Sequence, residues 1–127
     1  MMGAEPVGFD ADTGMVEMAF TPPEGFANMR GNVQGGLLAG FVDEAMGAAV
    51  YLGTGGKLQL SLDINISLLR PVAMERLTVK ARAVKPGKRI TFVEAELFDH
   101  EGTLCARATA TTMATEWPDG MKPEGMA

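Results

Sequence analysis

The stretch from residue 35 to residue 52, GGLLAGFVDEAMGAAVYL, constrains the fold more than any other part of the chain. It is rich in Ala, Leu and Met and has the length of a long globular helix. It is apolar nearly all round, so it has to be buried on most sides. Its glycines lower helix propensity but permit close packing against another backbone. Asp43 and Glu44 stand near its middle, a pair that a membrane span rarely tolerates. One helix buried on most sides needs a sheet that curls around it.

The remaining segments supply that sheet. Leu58–Leu68 alternates without a fault: Leu58, Leu60, Leu62, Ile64, Ile66 and Leu68 face one way, and Gln59, Ser61, Asp63, Asn65 and Ser67 the other. This predicts a long, half-buried antiparallel strand, ended by Pro71. Met15–Phe20 reads as a short strand after the turn residues 11–14. Leu77–Lys85, Ile90–Phe98 and residues 103–113 read as three more, separated by Pro86-Gly87 and by Asp99-His100-Glu101-Gly102. Residues 22–34, with their prolines, glycines and asparagines, form an irregular loop. The expected order is one strand, the long helix, then four strands in a meander. A curved antiparallel sheet around one central helix is an α+β fold. At 127 residues a single domain is expected over 1–127, with its core at about 7–114 and a loose tail over 115–127.

Composition removes whole classes of chemistry. The net charge is −5 and no basic stripe dominates, so nucleic acid is not an expected partner. A single cysteine, Cys105, excludes an intrachain disulfide and fits a reducing compartment. Residues 1–9 have neither the basic region nor the apolar run of a signal peptide. The chain is therefore expected in the cytoplasm, with no membrane partner. The only histidine is His100, inside a predicted turn, and there is no Gly-x-Ser-x-Gly elbow. One Cys and one His do not make a usual zinc site, and no phosphate loop or dinucleotide fingerprint is present. No metal and no cofactor are expected. Any hydrolysis must use a carboxylate, hydroxyls, amides and backbone donors.

The segment from Asn28 to Gly36 leads into the helix, whose N-terminus carries unpaired N–H groups and partial positive charge. Glycine there lets a substrate carbonyl approach the backbone, as an oxyanion hole requires. The plainer reading is a glycine-rich loop that starts a helix. Asp43 is costly among apolar residues unless it meets solvent, a partner or a site; a solvated stripe with Glu44 and a functional carboxylate both satisfy that. Gly35 lies eight residues before Asp43, about 12 Å along a helix. A single thioester does not comfortably touch both on one helix. If both act on one carbonyl, each comes from a different subunit, and a two-fold axis gives two sites. Ser61 is an ordinary strand serine in isolation, Asn28 a turn residue and Asn32 a helix N-cap. Lys85, Lys88 and Arg89 flank Pro86-Gly87 as a solvated hairpin tip or a phosphate site, and Arg70 is open to either reading.

Together, Asn28-x-x-Gly31-x-x-Gln34-Gly35-Gly36-x6-Asp43-x-Ala45, the strand from Ser61 to Pro71 and the Gly87 and Gly102 turns resemble hotdog-fold acyl-CoA thioesterases of the phenylacetate-pathway and thioesterase-superfamily-member-2 type. The resemblance covers roughly residues 20–114. It implies a hotdog fold, hydrolysis of an acyl-CoA or aryl-CoA thioester to acid and CoA, and a homodimer or a tetramer of dimers. It implies Asp43 as general base or nucleophile, Gly35 as the amide that polarises the carbonyl, and Asn28 and Ser61 as positioning groups. Gln34 and Gly36 line the substrate, and Arg70, Lys88 and Arg89 are candidates for the CoA phosphates. The family's His-Gly-Gly stands here as Gln34-Gly35-Gly36. Glutamine exchanges hydrogen bonds but carries no charge near neutral pH. That departure keeps a second reading open, a non-catalytic acyl-CoA-binding protein. A hotdog dehydratase ranks below both because His100 lies in a turn, and a purely structural assembly module is the remaining alternative.

Overall fold

Gly35–Gly53 forms the long helix that its composition demands, here called α1. In a computed structural model, which describes residues 4–118, 120 and 121, this helix lies against one six-stranded sheet. The strands are β1 (Ala4–Asp10), β2 (Met15–Phe20), β3 (Leu58–Leu68), β4 (Leu77–Lys85), β5 (Ile90–Phe98) and β6 (Leu104–Thr115). Their order is β1-β2-β4-β5-β6-β3, antiparallel throughout. The expected architecture of one central helix and an antiparallel sheet is therefore present.

Leu38, Phe41, Val42, Ala45, Met46, Ala49 and Val50 are buried, a three-and-four spacing that gives one helix face. They join Phe20, Leu77, Val79, Val93 and Leu97 of the sheet in a single core. The Phe41 ring lies 4.8 Å from that of Phe20 and 5.7 Å from that of Phe26. Burial on most sides does not hold within one chain. Gly36, Asp43, Glu44, Gly47 and Leu52 stay exposed, because the sheet covers α1 from one side only.

Three expectations about the sheet are corrected. First, the chain has a strand before residue 15. Glu5, Pro6 and Gly8 hide β1 from propensity, but the 11–14 turn closes it onto β2. Asp10 Oδ1 accepts from the N–H groups of Asp12 and Thr13, and Gly14 takes the positive φ of 77° that the turn needs. Second, the last four strands are not a meander. β3 pairs only with β6, and β2 lies beside β4. After β3, the N–H groups of Leu69 and Arg70 bond to the Cys105 carbonyl. Val72 is then buried and its carbonyl accepts from Val33. That anchor carries the chain past the start of α1 to the other side of the sheet.

Third, the alternation of β3 changes phase. Its register against β6 slips between Ser61 and Asp63, leaving Leu62 as the extra residue of a bulge. Ile64, Ile66 and Leu68 lie opposite Ala110, Ala108 and Ala106, whose side chains are buried. Beyond the bulge it is Ser61 that lies opposite buried Thr112, and Leu60 opposite Met113. Ser61 therefore turns to the helix side, and Leu60 turns away from it. β3 is also an edge strand, more exposed than a half-buried strand, with only Leu58, Gln59, Ile64 and Ile66 partly covered. At the C-terminus, Thr115 closes β6 and Trp117 packs edge-on against Tyr51, ring centroids 6.5 Å apart. Of the expected tail, residues 119 and 122–127 lie outside the described residues.

Candidate active site

The loop before α1 is tied down by its own side chain. Asn28 Oδ1 accepts from the N–H groups of Arg30 and Asn32, at 2.9 and 3.1 Å, and Gly31 bonds back to the Asn28 carbonyl at φ +83°. Asn28 is thus the turn residue that its type suggests, and its oxygen is committed to backbone. Asn32 is not the N-cap; its backbone bridges to Ala73. Gln34 holds the N-cap position, and its carbonyl accepts from Leu37 and Leu38 while no side chain caps the helix. Gln34 itself is exposed.

Gly35 opens the helix with no side-chain cap over its amide. A Cβ at this position would lie 2.9 Å from Leu68 Cδ1, so glycine lets the helix start sit directly on the end of β3. Gly36 has open space where a side chain would go. The plain and the chemical readings of this glycine pair are therefore compatible: Gly35 lets the helix start rest on the Leu68 side-chain tip, which would have to shift for a Cβ, and the same packing brings the helix start to the β3 edge.

Asp43 lies two turns further along α1, exposed, on the side that faces β3. The Ser61 hydroxyl donates to Asp43 Oδ1 at 3.3 Å. The bulge at Leu62 makes this contact by aiming Ser61 toward the helix, as bulges beside active sites commonly do. So two of the expected residues meet. Gly35 and Asp43 do not meet within one chain, separated by about 12 Å of helix.

The three basic candidates divide. Lys88 and Arg89 lie at the end of β6, where the Ala114 N–H bonds to the Arg89 carbonyl at 2.6 Å. Arg70 lies beyond Leu68, at the Cys105 end. The eleven residues of β3 separate them, about 33 Å at the rise of a strand. A fourth cation, Lys57, was not singled out by sequence; its Nζ lies 3.5 Å from the Lys88 carbonyl. Only its position next to the β3 start, opposite the Gly87 hairpin, gives it relevance. Among the described residues no group of three His, Cys, Asp or Glu side chains lies together as a metal site would require.

Two titratable groups near the β5–β6 turn depart from their ordinary values. Asp99 is held below the usual carboxylate range, chiefly by the Thr103 N–H it accepts and also by that of Glu101. The Cys105 thiol is pushed up, first by burial and then by the nearby Asp99 charge. It donates to the Thr103 carbonyl at 3.3 Å. Neither lies near Asp43.

Comparison with known proteins bears on the family and the fold. The thioesterase superfamily model matches residues 30–106, which hold Gly35, Asp43, Ser61, Arg70 and the Lys88-Arg89 turn. A solved structure from Ralstonia eutropha JMP134, named as a thioesterase and a phenylacetic acid degradation-related protein, is 32% identical with a TM-score of 0.82. The match covers 88% of this chain and 85% of that one. A relative from Saccharolobus solfataricus named as an esterase is 28% identical over 100 residues, 79% of this chain and 67% of its own length. A hypothetical thioesterase from Streptococcus pneumoniae TIGR4, solved with coenzyme A, shares the fold at 23% identity and a TM-score of 0.79. There the match covers 91% of this chain and 88% of that chain.

Proposed function

Because the chain belongs to the thioesterase superfamily and is a thioester hydrolase, we propose that it cleaves an acyl-CoA or aryl-CoA thioester to free acid and CoA in sites shared by two copies. The observation that carries this reading is the placement of Gly35 and Asp43 at opposite ends of an open strand edge. Gly35 packs at Leu68, and Asp43 meets Ser61. Pair two β3 strands antiparallel about a two-fold axis near Ile64 and Asn65. The Gly35 end of each copy then lies beside the Asp43–Ser61 end of the other. The same operation carries Arg70 of one copy toward Lys57, Lys88 and Arg89 of the other, and so reunites the basic candidates.

Asp43 acts on the thioester carbonyl, either by drawing a proton from water or by direct attack. The bare Gly35 N–H of the other copy stabilises the oxyanion that forms. Ser61 holds Asp43 by its hydroxyl. Asn28 shapes the loop and leaves its amide nitrogen to the site, while Gln34 and Gly36 border the bound acyl group. Gln34, neutral where the family carries histidine, makes turnover independent of any imidazole titration at that position.

The test combines a panel of acyl-CoA substrates, free-thiol detection and a native-mass measurement. Asp43→Asn is expected to lower turnover at least about a hundredfold with the fold intact. Gly35→Pro removes the N–H at a helix position that accepts proline and is expected to be similarly inactive. Mixing the two inactive variants should restore about a quarter of wild-type activity, since half the dimers are mixed and each holds one whole site. No recovery from the mixture, with exchange of subunits verified, removes the shared site. Ligand binding without thiol release across the panel instead identifies a non-catalytic acyl-CoA binder.

A further inference from the structure

Lys57, Lys88 and Trp117 border a cavity of about 500 Å³ beyond the start of β3, with Thr115 in its wall and Glu116 alongside. We infer that this cavity holds the 3′-phosphorylated adenosine diphosphate end of CoA, with the adenine stacked on Trp117 and the phosphates met by Lys57 and Lys88. The inference rests on the acyl-CoA reading above and extends it to Lys57 and to Trp117, the latter outside the family match.

The argument begins on α1. Asp43, Gly47 and Tyr51 recur every four residues, so they share one helix face. The face is open: a Cβ at Gly47 would meet nothing within 4 Å. Eight residues carry it about 12 Å from Asp43 to Tyr51, where Trp117 packs edge-on at 83°. A thioester at Asp43 can therefore extend its pantetheine arm over Gly47 toward Tyr51 and Trp117. An indole half-buried against a protein ring is held in place, and an aromatic plane of this kind stacks any base.

Charge completes the site. The Lys57 ammonium gives one of its three donors to the Lys88 carbonyl, which holds the two lysines side by side and leaves the remaining donors for phosphate. The hairpin that bears Lys88 is pinned to β6 by the bond from Ala114 to Arg89. Glu116 opposes an anion, but it stands against two cations in the same wall. Nothing in the sequence pattern couples Lys57 to Trp117, sixty residues later; the fold alone brings them together.

Trp117 is the only tryptophan of the chain, so its fluorescence reports the site directly. Adenosine 3′,5′-bisphosphate is expected to quench it saturably, and pantetheine is not. Replacing both Lys57 and Lys88 by Ala should weaken that binding at least about tenfold. In hydrolysis assays Trp117→Ala should raise KM for an acyl-CoA about tenfold or more, the range expected for a lost base stack. Its kcat should stay within about twofold, and KM for the matching acyl-pantetheine thioester should not move. Lys57→Ala, at an exposed position, repeats the KM test if the tryptophan variant does not fold. Hydrolysis without quenching, or with KM for acyl-CoA unchanged in these variants, overturns the nucleotide site. Quenching by the bisphosphate without hydrolysis of any acyl-CoA supports the site and overturns the hydrolytic reading instead.

Discussion

β1 and β3 lie at the two edges of one sheet, and each presents backbone groups with no strand beside them. β1 has seven residues, among them Pro6, which has no N–H to offer, and its pairing with β2 slips between Pro6 and Gly8. An exposed ion pair joins its Glu5 to Arg76. These are devices that discourage another strand from adding on. β3 has eleven residues and no proline, and it exposes Leu60, Leu62 and Leu68, each about half accessible, with Leu69 just beyond. A long apolar edge of this kind aggregates unless something covers it. The difference points to the edge on which the proposed second copy would pair, and the candidate site residues lie on the same side: Ser61, Asp43 and Gly35 all gather at the β3 edge and none at β1.

The largest expected effect tests that asymmetry. Leu62→Asp places a charge in each half of the proposed contact between β3 strands, opposite Ser67 of the other copy, and Val7→Asp places the same charge at the β1 edge. Both residues are about half exposed, so neither change removes core packing. On the proposed shared-site arrangement, Leu62→Asp should give a monomer by native mass and lower turnover about a hundredfold or more, because each proposed site would lose its second copy. Its Tm should also lose the concentration dependence that the proposed dimer would show. Val7→Asp should leave mass and turnover unaltered. Equal outcomes for the two variants would remove the distinction between the edges.

The same contrast marks what was legible in the sequence. The helix was, because residues 35–52 are rich in Ala, Leu and Met and have the length of a long globular helix. The existence of β3 was, because eleven alternating residues form nothing else so readily. Its phase was not. The bulge at Leu62 is invisible in a pattern that alternates without a fault, and it is what turns Ser61 toward Asp43. β1 was hidden by Pro6 and Gly8, the residues that protect it as an edge. The crossover that separates β3 from β4 depends on where Val72 finds its pocket, which is a property of the assembled core. At the site, Asp43 stood out as a carboxylate in an apolar helix, whereas the roles of Asn28 and Ser61 came from family resemblance. Arg70, Lys88 and Arg89 are distributed by the topology, so their grouping was not readable from spacing.

A smaller effect sharpens the account of how β1 is held. The ion pair between Glu5 and Arg76 has both side chains more than half exposed, so solvent screens it and its contribution is about 0–1 kcal/mol. Asp10 instead accepts two backbone N–H groups in the turn that joins β1 to β2. Asp10→Ala should therefore cost more, roughly 1 kcal/mol, than Glu5→Gln in urea unfolding. Native mass should not respond to either change. A larger loss from Glu5→Gln would mean that the edge is fixed by charge and not by its turn.

The smallest effect lies away from both edges, in the β5–β6 turn. Asp99 accepts from the Thr103 and Glu101 N–H groups at 2.9 Å each, and its carboxyl titrates below its ordinary value of 3.8. A carboxylate depressed by folding stabilises the native state above its unfolded pKa, and that contribution is lost as pH falls through the folded value. The window therefore lies at and below about pH 3.8, and near neutrality stability should not vary with pH on this account. Asp99→Asn keeps an oxygen acceptor for both N–H groups but cannot titrate. Unfolding curves of the two proteins should run parallel above pH 5 and converge as pH falls below 3.8, with the native protein losing its advantage. If the gap between them persists unchanged at pH 2, the hydrogen bonds of this turn do not depend on the charge of Asp99.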